Sequence, residues 1–128
     1  MGFDQYHEPP EELSQETRTL ARIFASLTEE AEAINWYEQR LSVEQDPEAR
    51  AVIADAMHEE YKHFSMDLEF ILRRRPEWRQ IAQGILFREG DLVENAEAAE
   101  AGVEVGGEDD AGGGDGSLGL GSLAGATA

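Results

Sequence analysis

No cysteine occurs in the 128 residues of this chain. Its absence excludes a disulfide framework, a thiolate zinc site, an iron–sulfur cluster and a cysteine nucleophile. Basic residues are scarce as well: ten Lys and Arg stand against 28 Asp and Glu, a formal net charge of −18. So acidic a surface repels phosphate backbones, and no nucleic-acid partner is expected. No apolar run approaches the ~18 residues needed to cross a bilayer, so no membrane association is expected either. The start, Met1-Gly2-Phe3-Asp4-Gln5, has neither the basic nor the apolar region of a signal peptide. The expectation is a soluble, cytoplasmic protein.

Charge and glycine are distributed unevenly. Residues 91–128 hold nine acids and 10 of the 13 glycines, but no Lys, Arg or aromatic residue. Such a composition does not offset the entropy of ordering, so folding is expected only in residues 1–90. Residues 91–116 then read as a disordered, acidic, Gly-rich linker. The stretch Ser117-Leu118-Gly119-Leu120-Gly121-Ser122-Leu123-Ala124 clusters Leu among small residues on that tether. Apolar residues with no core to join suggest that 117–128 is a docking peptide.

Helical periodicity fills the first part, with no strand alternation. Pro9-Pro10 favours a helix starting near Pro10 or Glu11. Leu13, Leu20, Leu27, Ile34 and Leu41 recur every seven residues, with Ile23, Phe24, Ala31 and Tyr37 between them. That helix would be a rod of roughly 48 Å. Asp46-Pro47 supplies a cap and a first-turn proline for a second helix, with Ala49, Ile53, Ala56, Phe64 and Ile71 on one face. It should end near Arg73, where Arg73-Arg74-Arg75 meets the negative end of the dipole. After Pro76, Trp78, Ile81, Ile85 and Leu86 suggest a short third helix ending near Gly90. The predicted fold class is all-α, an antiparallel two-helix hairpin plus a short third helix. A hairpin leaves its stripes half covered, so dimerisation into a four-helix bundle is expected.

Three polar residues interrupt the apolar stripes. Glu30 lies between Leu27 and Ile34, and Glu60 and His63 follow Ile53 and Ala56 at helical spacing. Unpaired carboxylates in such places cost several kcal/mol each unless charge partners or a metal compensate. Two other acid-x-x-His pairs, Asp4/His7 and Asp55/His58, fall off the stripes and read as solvated surface. Di-iron carboxylate bundles use a Glu from each of two helices and a Glu-x-x-His from each of two others. One chain therefore holds half a site, and a two-fold dimer would complete it with four carboxylates and two imidazoles. Oxygen ligands with imidazole suit Fe, Mn or Zn, iron being the usual occupant of this set. A buried Glu–His ion pair without metal is the plain alternative, but it leaves Glu30 unexplained. Asp67, one turn beyond His63, could orient that imidazole through its second nitrogen.

The stretches Glu29-Glu30-Ala31-Glu32-Ala33-Ile34-Asn35-Trp36-Tyr37 and His58-Glu59-Glu60-Tyr61-Lys62-His63 resemble the encapsulated ferritins. The resemblance spans roughly residues 7–90, and the tail resembles the peptides that load cargo into encapsulin shells, though it ends in Ala-Gly-Ala-Thr-Ala without basic residues. It implies a half-ferritin domain, 1–90, that pairs around a ferroxidase centre holding two Fe per subunit dimer, with Ca, Zn or Mn as possible substitutes. Glu30, Glu60 and His63 would be the iron ligands from both subunits. Glu29 and Glu32 would form a metal-attracting site on the entry path, and Trp36 and Tyr37 would line the centre. For Glu29 and Glu32 the residues alone equally suit a solvated acidic face, and Tyr37 equally suits ordinary core. The resemblance further implies a ring of dimers, a decamer, held inside an encapsulin nanocompartment by 117–128. The implied function is oxidation of Fe(II) to Fe(III) for storage in that shell. A non-catalytic helical scaffold or a divalent-metal buffer is the alternative.

Overall fold

The computed structural model describes residues 5–109. Among them the structure is entirely helical: a 3-10 turn, Pro10–Glu12, then α1 (Gln15–Val43), α2 (Pro47–Arg74), α3 (Pro76–Gln83) and α4 (Leu92–Asp109). The chain divides into two units, Met1–Pro76 and Glu77–Ala128.

The first unit is the hairpin of α1 and α2. Helix α1 begins five residues later than Pro10 suggests. Ser14 stays extended and its Oγ accepts the Thr17 N–H at 3.1 Å, so the hydroxyl caps the helix there. The prolines instead form the 3-10 turn, whose Pro10 carbonyl accepts the Arg18 Nε–H at 2.8 Å. The 29 residues of α1 give a rod of about 43 Å. Asp46 caps α2 by accepting the Ala49 N–H at 2.9 Å, with Pro47 in the first position as expected. Helix α2 ends where Pro76 pushes Arg75 out of helical geometry, at φ −134° and ψ 82°.

An arginine ties each end of this hairpin. At the turn, Arg50 donates to the Leu41 and Glu44 carbonyls, the latter at 2.8 Å, satisfying acceptors that the end of α1 leaves open. At the open end, Arg75 Nη1 meets Glu16 Oε1 at 3.3 Å. The hairpin is therefore antiparallel and held in register. Its core is small: Leu20, Met57, Ile71 and Leu72 are the buried apolar side chains among the described residues. Leu27, Ile34, Ile53 and Phe64 of the stripes are half-buried. Trp36, Val43, Val52, Tyr61 and Met66 stand exposed on the same two helices.

The second unit departs from expectation. Helix α3 stops at Gln83 rather than continuing toward Gly90, and turns follow, with Phe87 at φ 61° and Gly90 at φ 102°. Residues 91–109, expected to be disordered linker, instead contain the 18-residue helix α4. Its start is capped: Asp91 Oδ1 accepts the Glu94 N–H at 2.9 Å, and Asn95 Nδ2 donates to the Glu89 carbonyl at 3.0 Å. Alanine at 96, 98, 99 and 101 has the highest helix propensity, which outweighs the acidic composition. Gly84 makes room for this helix, since a Cβ there would lie 2.4 Å from the Ala99 Cβ. The expected docking peptide, 117–128, lies outside the described residues.

Candidate metal centre

Helices of 29 and 28 residues, joined by a short turn and tied at both ends, bring the middle of one against the middle of the other. Glu30 sits halfway along α1, and Glu60 and His63 halfway along α2. The hairpin thus gathers three residues far apart in sequence. One ligand atom from each lies within 4.8 Å of the other two, and all three residues are partly buried. Glu60 and His63 also face each other along α2, with Oε2 3.8 Å from Nδ1. Two carboxylates and an imidazole at this spacing are the donor set of a hard-to-borderline metal ion.

The electrostatics of the group fit a cation. Glu30 Oε2 is shut off from solvent and has no hydrogen-bond partner. Burial, foremost, and then the neighbouring carboxyl of Asp67 raise the Glu30 pKa from 4.5 to about 7, with smaller contributions from Glu60 and Glu29. Such a group holds its charge poorly by itself, and a metal ion would supply what the protein does not.

The other expected residues fall outside the trio. Glu29 and Glu32 are exposed on α1. Glu29 is close enough to act on the charge of Glu30, which Glu32 is not seen to do. Trp36 is 51% exposed, while Tyr37 is half-buried with the Arg40 guanidinium 5.3 Å from its ring centre. His58 stands on the outer side of α2 beside Tyr61, with ring centres 5.6 Å apart, as its place off the stripe suggested. Asp67 stands close enough to Glu30 on the opposite helix to raise its pKa, and its buried Oδ2 has no hydrogen-bond partner. Spacing along α2 places Asp67 on the correct face, but only the packing of α1 reveals its neighbour.

This arrangement accompanies similarity to known proteins. The model of the EncFtn-like family matches residues 5–89. The encapsulated ferritin-like protein of Rhodospirillum rubrum is 42% identical over 126 residues, 95% of this chain and 89% of that protein. A ferritin-like protein of Thermotoga maritima is 37% identical over 106 residues, 83% of this chain and 93% of its own length. The crystal structure of a protein from Nitrosomonas europaea superposes with a TM-score of 0.67 at 39% identity, covering 70% of this chain and 99% of that one.

Proposed function

Since the chain belongs to the EncFtn-like family, we propose that it is a ferroxidase whose centre forms between two copies, from Glu30, Glu60 and His63 of each. The observation that carries this reading is the meeting of those three residues within 4.8 Å at the middle of a hairpin. Three donors leave a first-row ion under-coordinated, and the same trio from a second copy would complete the set. Four carboxylates would then balance two divalent ions, offsetting the cost of burying the acids. The exposed Trp36, Tyr61 and Met66 of the two helices support such pairing, because a second hairpin would cover them.

Each side chain has a definable task. Glu30 and Glu60 offer anionic oxygens from opposite helices, so the hairpin itself sets their separation. His63 offers a ring nitrogen in its neutral form, with Glu60 one turn behind it to fix the ring. Iron, as substrate, supplies the redox chemistry, each Fe(II) giving up one electron to an oxygen-derived oxidant. Glu29 and Glu32 form an exposed acidic approach that raises the local concentration of cations. Trp36 and Tyr37 would line the completed centre from the paired subunit. The product would be stored within an encapsulin shell, to which residues 117–128 would dock; the name of the Rhodospirillum relative supports this placement. A ring of such dimers, a decamer, is the assembly we propose. No helix among the described residues is long and apolar enough to cross a membrane.

Aerobic Fe(II) oxidation tests the reading. Glu60→Ala and His63→Ala should each reduce the rate to that of buffer and lower metal content; a rate equal to wild type in either variant refutes the site. Binding of iron without oxidation would favour a metal buffer instead. Deleting residues 117–128 should leave oxidation intact and abolish co-purification with a co-expressed shell protein.

A further inference from the structure

Asp67 has no part in the trio, yet its position is unusual. It follows Glu60 by seven residues and His63 by four, so all three share one face of α2. It stands close enough to Glu30 across the hairpin to act on that group's charge. Asp67 Oδ2 and Glu30 Oε2 are both shut off from solvent, and neither has a hydrogen-bond partner. A buried carboxylate serving only the architecture is paired with a donor or a cation. Here each acid instead meets another acid. The nearby cations of α2 are engaged elsewhere: Lys62 with Glu59 at 2.8 Å and Arg73 with Glu69 at 2.6 Å, both on exposed surface.

We propose that Asp67 is a positioning residue of the metal centre, which acts through Glu30 and adapts the paired site to trivalent ions. This inference rests on the paired-centre reading above. In a two-fold pair, Glu30 and Glu60 contribute four negative charges, the complement of two divalent ions. Adding Asp67 from each copy gives six, the complement of two trivalent ions. The added charge stands one carboxyl away from the ions, behind Glu30, where low solvent access keeps screening weak. A divalent ion gains less from it than a trivalent one, in proportion to charge. The centre would therefore hold the oxidised product more firmly than the trio alone would.

The test uses the full chain and two redox-inert probes, Co(II) and Tb(III), titrated separately and in competition. Asp67→Asn preserves size and removes the charge. It should lower Tb(III) affinity about tenfold and Co(II) affinity only about fivefold, in proportion to ionic charge. Asp67→Glu, which keeps the charge, should retain most of the Tb(III) preference, whereas a purely packing role would make Asn the milder change. An unchanged ratio of Tb(III) to Co(II) affinity in Asp67→Asn overturns the proposal. Asp67→Ser is read in the same way should the Asn variant lose helicity. Failure of the paired centre has a different signature: wild type would bind neither probe at two ions per pair, or Glu60→Ala with His63→Ala would leave Co(II) binding intact. Either result removes the reading on which the proposal stands, and the proposal with it.

Discussion

Glu30 is the residue at which folding and chemistry oppose each other. It lies in an apolar stripe and faces Asp67, so burial and a like charge lift its pKa to about 7. The folded chain thus holds a proton on Glu30 that the unfolded chain, near the ordinary 4.5, releases. Stability from this group is fully present below about 4.5 and is lost as pH rises through about 7. Thermal denaturation of metal-free protein should show this loss between those values, and Glu30→Gln should flatten that part of the profile. The same variant should also bind less metal, since a neutral amide is a poorer ligand than a carboxylate. The trio of Glu30, Glu60 and His63 was legible in the sequence because each residue interrupts an apolar stripe. Asp67 also interrupts one, but its neighbour across the hairpin was not legible. A stripe records which side of a helix faces inward, not which residue of the other helix lies opposite.

At the scale of elements, the hairpin follows from local signals, and the second unit shows where such signals compete. Ser14, Asp46 and Pro47 punctuate α1 and α2, and the heptad spacing of leucines gives the inward side. Pro10 was misleading because Ser14 offers a better cap four residues later. Helix α4 was hidden by composition: glycine and acid content averaged over 91–116 obscured the alanines at its start. Leu72, buried, was also missed, since it sits beside the stripe, whereas Met57, also buried, lies on it four residues after Ile53. The contact of Gly84 with Ala99 provides a test. Gly84→Ala places a methyl where only 2.4 Å is available, so the two segments must separate. Overpacking of this kind costs about 1–3 kcal/mol. Circular dichroism should show lost helicity while Fe(II) oxidation at the proposed hairpin centre continues.

For the whole molecule, the charge of −18 divides into groups with different consequences. Residues 91–128 carry nine of the acids, Glu29 and Glu32 stand exposed beside the trio, and Glu30 and Glu60 are drawn inward. Among the described residues, Glu30 and Asp67 are the acids that hold an oxygen shut off from solvent without a partner. If two copies make one centre, a dilute solution of separated chains contains no complete site. Oxidation rate per chain should then fall on dilution in step with the dimer fraction measured by sedimentation, and a rate per chain that is independent of concentration would place the whole site in one copy. Uncovered stripes suggest such a partner, while the number of copies depends on shape complementarity rather than pattern.

The hairpin's fasteners lie far from its donors. Arg50 and Asp46 hold one end, Arg75 and Glu16 the other, and Glu30, Glu60 and His63 occupy the middle turns. Mutational tolerance should therefore vary along the rod. If the trio holds a metal as proposed, the central positions can be exchanged to accept another ion without unfastening the helices, which makes the architecture a chassis for altered metal specificity.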